Sequence, residues 1–120
     1  MKDNSLCILI RHAPYSRVHA AEALRHAGGA LAEGIAVSLL LSGDGVHVAR
    51  DGQNVSDSGF TALSPVLPTL LAKGVRVYVH NASAQARGLL EGGGLVPGVE
   101  IADAEQFATL LVHASAVMVY

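Results

Sequence analysis

Val75-Arg76-Val77-Tyr78-Val79-His80-Asn81-Ala82-Ser83-Ala84-Gln85-Ala86-Arg87-Gly88-Leu89 is the stretch whose reading decides the fold. A short β-branched strand, 75–79, runs straight into a helix, and in open α/β sheets ligands sit in the crevice outside the carboxyl ends of the strands. A histidine, an asparagine and a serine occupy that junction, with no cysteine and no carboxylate before Glu91. It carries no evident enzyme signature.

Working outward, the same alternation repeats along the chain. Residues 6–10 form a compact apolar run, and Ala13-Pro14 after it forces an extended or turning chain, which ends the strand by about Arg11. Val18, Ala21, Leu24, Ala27 and Leu31 recur at helical spacing over 17–33, with Ser16 available as a cap and Gly34 just past the end. Residues 35–41 are near-continuous Val and Leu, the pattern of a strand buried on both faces. Ser42-Gly43-Asp44-Gly45 is a turn that opens a short apolar segment, 46–49. Residues 51–59 read as a surface loop. A helix over 61–73, interrupted by Pro65 and Pro68, closes at Gly74.

A further helix over 83–91 ends in Gly92-Gly93-Gly94, a flexible turn rather than a phosphate loop, because no Lys-Ser/Thr follows it. A short strand at 99–102, a helix capped by Asp103 and running to about His113, and a final Val- and Met-containing strand at 115–120 complete the pattern. Strands alternating with helices imply right-handed crossovers. The expectation is one α/β domain over 1–120, with a mostly parallel sheet of about five strands and helices on both faces.

Composition narrows the function classes. The chain has 120 residues, 51% of them hydrophobic and only 15% charged. Alanine inflates the first figure, but so apolar a small domain implies surface covered by another subunit, with contacts expected on the helix faces near Ala20–Leu31 and Leu63–Leu71. A net charge of −2 with scattered Lys and Arg gives no basic stripe, so no direct nucleic-acid ligand is expected. No apolar run is long enough to cross a bilayer, and Met-Lys-Asp-Asn-Ser lacks a signal-peptide core, so a soluble cytoplasmic protein without membrane partners is expected. The single cysteine, Cys7, excludes an internal disulfide and a cysteine-based zinc site, and in its apolar run it reads as an inert small hydrophobe.

Candidate chemistry lies at strand ends. His12, Asp44 and His80 each follow a strand carboxyl end and are candidates to line one crevice, a His/Asp set of the kind used in acid/base chemistry. No nucleophile is visible beside them, and turn or capping duty is the plainer role for Asp44. Asn81 and Ser83 mark a helix start, where free N–H groups bind a small anion or a side chain simply caps the helix. His19, Glu22 and His26 share one helix face, but histidines two turns apart seldom converge on one ion. No metal and no cofactor are expected.

Arg11-His12-Ala13-Pro14-Tyr15, Ala20-Ala21-Glu22-Ala23-Leu24, Asp44-Gly45-Val46, Asp51-Gly52-Gln53, Ala82-Ser83, Arg87-Gly88-Leu89 and Val117-Met118-Val119-Tyr120 follow one another in order. Together they resemble the DsrE/DsrF-like family of sulfur-relay subunits, most of all its DsrF/TusC branch. The resemblance implies a flavodoxin-like subunit that assembles with itself or with DsrE-like homologues into dimers, trimers or hexamers. It also implies that His80 stands where the DsrE/TusD type of subunit carries a reactive cysteine. A thiolate is the nucleophile and carrier in persulfide chemistry, and an imidazole does not hold a sulfane sulfur in that way. The expectation is a non-catalytic subunit of a sulfur-relay assembly, of the sulfur-oxidation or tRNA-thiolation type. The alternative is a self-assembling module that binds a small ligand or anion in the strand-end crevice.

Overall fold

Strand β1 (Ser5–Ile10) is flanked by two strands far apart in sequence, at 36–41 and 116–119. The computed structural model describes residues 4–14, 19–51, 66–91 and 94–120. After β1 come helix α1 (His19–Ala32), strand β2 (Ala36–Leu41), a 3-10 helix (Gly43–Ala49) and helix α2 (Val66–Ala72). Strand β3 (Arg76–His80), helix α3 (Asn81–Ala86), strand β4 (Glu100–Ala102), helix α4 (Ala104–His113) and strand β5 (Ala116–Val119) follow. The five strands form one parallel sheet in the order β4-β3-β2-β1-β5, with Leu6 opposite Val37 and Ala116, and Leu40 opposite Tyr78.

The two sheet faces are covered unequally. On one, α1 contributes Ala20, Ala23, Leu24 and Ala27, α2 contributes Leu67 and Leu70, and α3 contributes Ala84, against Ile8, Ile10, Leu39, Leu41, Val77 and Val79. On the other, α4 alone packs Phe107 against Cys7, Leu40 and Ala102, with Leu9, Tyr78, Leu110, Leu111 and Ala114 half-buried around them. Leu39, Leu40 and Leu41 are all fully buried, as expected of a strand covered on both faces, and each such leucine contributes about 1.5–3 kcal/mol. A ten-residue helix is about 15 Å long. Five strands span about 19 Å at the usual spacing. Helix α4, on the connection from β4 at one edge to β5 at the other, is the one helix packed on this face among the described residues, and it is too short to cover the whole of it.

Several local expectations change in the structure. The helix expected over 83–91 is Asn81–Ala86. It begins early because His80 caps it, and it ends early because Gly88 takes a positive φ of 69° and turns Leu89 back into the core. The short apolar segment at 46–49 belongs to the 3-10 helix. A Cβ on Gly45 would sit 2.0 Å from the Ile10 carbonyl oxygen, so that helix rests directly on the end of β1. Pro68 falls in the first turn of α2, where its missing N–H costs nothing. The proposed cap Ser16, the segment 52–65 with Pro65, and Gly92 and Gly93 lie outside the described residues.

Two of the residues on the α1 and α2 faces expected to carry subunit contacts belong to the core of the chain itself. Leu24 is 3% exposed and Leu67 is 0% exposed, because these helices supply the cover that one sheet face requires. The exposed large apolar side chains lie elsewhere, at Leu90, Ile101, Val112, Val117, Met118 and Val119.

Candidate functional site

The carboxyl ends of β3 and β4 diverge: β3 leads into α3 on one face of the sheet and β4 into α4 on the other. Adjacent strand ends that part in this way open a crevice. His80, the last residue of β3, occupies it half-buried, its ring 5.4 Å from that of Phe107 on α4.

His80 is held by a short hydrogen-bond chain. The backbone N–H of Ser83 donates to His80 Nδ1 at 3.3 Å, so the histidine caps α3. A backbone amide can only donate, which fixes Nδ1 as the acceptor and places the ring proton on Nε2. Ser83 Oγ lies 2.7 Å from the same Nδ1, and its hydroxyl donates to it. The Gly43 N–H in turn donates to Ser83 Oγ at 3.0 Å, tying α3 to the start of the 3-10 helix. One side chain thus satisfies donors that a short helix otherwise leaves open.

Arg87 completes the cluster and was missed as a site residue by sequence reasoning. Its Nε and one terminal nitrogen both donate to Asp44 Oδ1 at 3.0 Å, and the other terminal nitrogen donates to the Ser83 carbonyl at 3.0 Å. Asp44 is therefore an ion-pair partner bridging the 3-10 helix to α3. The signal lay in Arg87-Gly88, an arginine one residue before the glycine that ends a helix, but a partner 43 residues away has no local signature.

The remaining candidates are dispersed. Asn81 is exposed at the first position of α3, and the capping role falls to His80 instead. His12 stacks on His19 with ring centroids 4.5 Å apart, and no hydrogen bond or ring contact joins it to His80. His26 hydrogen-bonds through Nδ1 to the Tyr120 hydroxyl, so the two histidines of the His19, Glu22 and His26 stripe turn to different partners. Among the described residues no group of three or more His, Cys, Asp or Glu is arranged to hold a metal ion. A surface groove of about 500 Å³ runs beside α4 between Arg76, Tyr78, Glu100 and Gln106; Arg76 is paired with Glu100, and Gln106 is held in a capping box with Asp103.

Ser83 lies within the reach of a nucleophile and base pair, yet its oxygen already accepts the Gly43 N–H, and among the described residues no carboxylate orients His80 Nε2. The arrangement is a latch joining three elements. Nearby, burial foremost, and then Arg50 and Arg87, hold the His47 pKa below its ordinary value of 6.5. The folded state therefore binds this proton less readily than the unfolded chain, so the neutral-ring stability is complete above about pH 6.5 and declines as pH falls toward the lowered value. Urea titrations from pH 7.5 to 5 are expected to show that decline, and His47→Gln is expected to flatten it; an unchanged slope would place the titration on another group.

Fold and junction together define a small α/β domain with a capped, thiol-free strand-to-helix turn. The chain belongs to the DsrE/DsrF-like family, whose model matches residues 4–120. Relatives include the protein MJ0989 of Methanocaldococcus jannaschii, 37% identical over 79% of this chain and 81% of its own length, and MK0008 of Methanopyrus kandleri, 34% identical over 81% of this chain and 78% of its own. Among solved structures, YchN of E. coli superposes with a TM-score of 0.86 at 24% identity over the full length of both chains. MTH1491 of Methanobacterium thermoautotrophicum superposes at 0.76 and 18% identity, over 98% of this chain and all of that one. The fold is the flavodoxin-like α/β arrangement expected from the sequence. Among the described residues no helix is long and apolar enough to cross a membrane.

Proposed function

We propose that this chain is a subunit of a sulfur-relay assembly that shapes or positions a thiol-bearing partner and carries no sulfur itself. Family membership supports the setting, and the identity of the junction residue carries the reading. At the end of β3, where a carrier would present a thiolate, His80 is engaged through Nδ1 as the cap of α3. Cys7 does not substitute for it. It is 4% exposed beneath α4, its Sγ lies 3.5 Å from the Leu110 carbonyl, and burial pushes its thiol pKa up, away from the thiolate that persulfide exchange requires. The small-anion alternative draws no support from the crevice, since the N–H groups of Ser83 and Gly43 are already engaged.

The test is the native mass of the complex that a tagged copy retains in its own source cells, followed by exposure of that complex to a low-molecular-weight persulfide. Recovery with a homologous chain bearing a cysteine at the strand-to-helix junction is expected. That cysteine is expected to gain sulfur, while this chain keeps its mass until it is denatured. Persulfide on Cys7 of the folded chain, or recovery without any thiol-bearing homologue, would overturn the proposal.

A further inference from the structure

The two edges of the sheet are built differently. Strand β4 has only three residues, and its Glu100 carboxylate is paired with Arg76, the sort of short, charged edge that resists pairing with another chain. Strand β5 has no such protection. Residues 114–120 read Ala-Ser-Ala-Val-Met-Val-Tyr, without a charge or a proline, and Val117, Met118 and Val119 are 45%, 37% and 53% exposed.

The hydrogen-bond register says which backbone groups of β5 are open. In a parallel ladder the N–H and C=O of one residue point to the same side, and successive residues alternate. Tyr120 donates its N–H to the Leu9 carbonyl and accepts the Arg11 N–H, so Tyr120, and with it Met118, is turned toward β1. Val117 and Val119 therefore turn both their N–H and C=O groups away from the sheet.

We infer that the β5 edge is a self-pairing surface, on which a second copy of this chain docks antiparallel about a two-fold axis through Met118. This rests on the assembling part of the function proposed above. In that register Val117 faces Val119 of the other copy at two symmetric places. Each pair exchanges two backbone hydrogen bonds, so every open donor finds an acceptor. Val117 and Val119 share the α4 face with Cys7 and Leu9, whereas Met118 lies on the opposite face and meets its own symmetry mate. Ala116 falls opposite Tyr120, small against large. No charged side chains meet along 114–120. The two five-stranded sheets become one of ten strands, and the remaining surface stays open to an unlike subunit.

Two variants test it on the full chain, with circular dichroism to verify folding. Val119→Pro removes an N–H that makes no bond within the subunit, and is expected to halve the native mass measured by light scattering. Met118→Cys places two thiols opposite each other at a non-hydrogen-bonded pair, about 4.5 Å apart at Cα. That separation lies within disulfide range. This variant is expected to run as a covalent dimer on a non-reducing gel, while Val112→Cys, 75% exposed on α4, is expected not to. If wild type is oligomeric but Met118→Cys does not cross-link, the edge inference falls and the assembly stands. If wild type is monomeric at all concentrations, both fall.

Discussion

Gly45→Ala is expected to destabilise the fold by about 3 kcal/mol or more, at the top of the range for overpacking. For a domain of this size that corresponds to a fall in melting temperature on the order of 10 °C. The added methyl would lie 2.0 Å from the Ile10 oxygen and 2.6 Å from its carbonyl carbon, and both are backbone atoms of a strand paired on both sides. A flexible side chain could yield, whereas the end of β1 cannot move without disturbing the ladders to β2 and β5. Gly43→Ala makes an instructive comparison, since it places a Cβ on a backbone already at a left-handed φ of 54° but meets no atom closer than 3.7 Å, and about 1 kcal/mol is expected. Thermal melts of the two variants should differ accordingly. Equal melting temperatures would mean that the 3-10 helix does not rest on β1 in solution.

Leu67→Asp is expected to leave the chain unfolded at room temperature. Leu67 is fully buried between α2 and the sheet, among apolar side chains, and a carboxylate there is cut off from water. The milder Leu67→Ala is expected to cost about 2–5 kcal/mol, a large share of the about 5–15 kcal/mol that holds a typical domain together. Circular dichroism of Leu67→Asp checks this. A variant with native dichroism and half the native mass would instead return the α2 face to the role of subunit contact.

Strand positions were legible in the sequence because apolar runs such as Leu39-Leu40-Leu41 have few alternatives to burial, and parallel pairing followed from the intervening helices. Which apolar surface faces solvent was not legible. Leu67 and Val117 are equally hydrophobic, and only the layering of α1, α2 and α3 on one face and α4 on the other separates core from edge. At the junction, the residue types at 80 and 83 were readable and their division of labour was not. Histidine caps helices less often than asparagine or serine, so Asn81 and Ser83 drew attention as caps while the ring nitrogen of His80 took the role. The Asp44–Arg87 pair was hidden for a different reason, since its partners become neighbours only when the 3-10 helix and α3 dock side by side.

The position of β1 between β2 and β5 also dictates an order of events in time. Its pairing with β2 closes a modest stretch of chain, whereas Ser5 and Ser115 are 110 residues apart when they hydrogen-bond. Contacts of such long range are the slow ones, because the entropy of closing the loop is lost before any bond is gained. Until β5 pairs, Leu6, Cys7, Ile8 and Leu9 present a bare apolar edge. Pairing of β5 covers that edge and withdraws it from capture by the matching strand of a neighbouring copy.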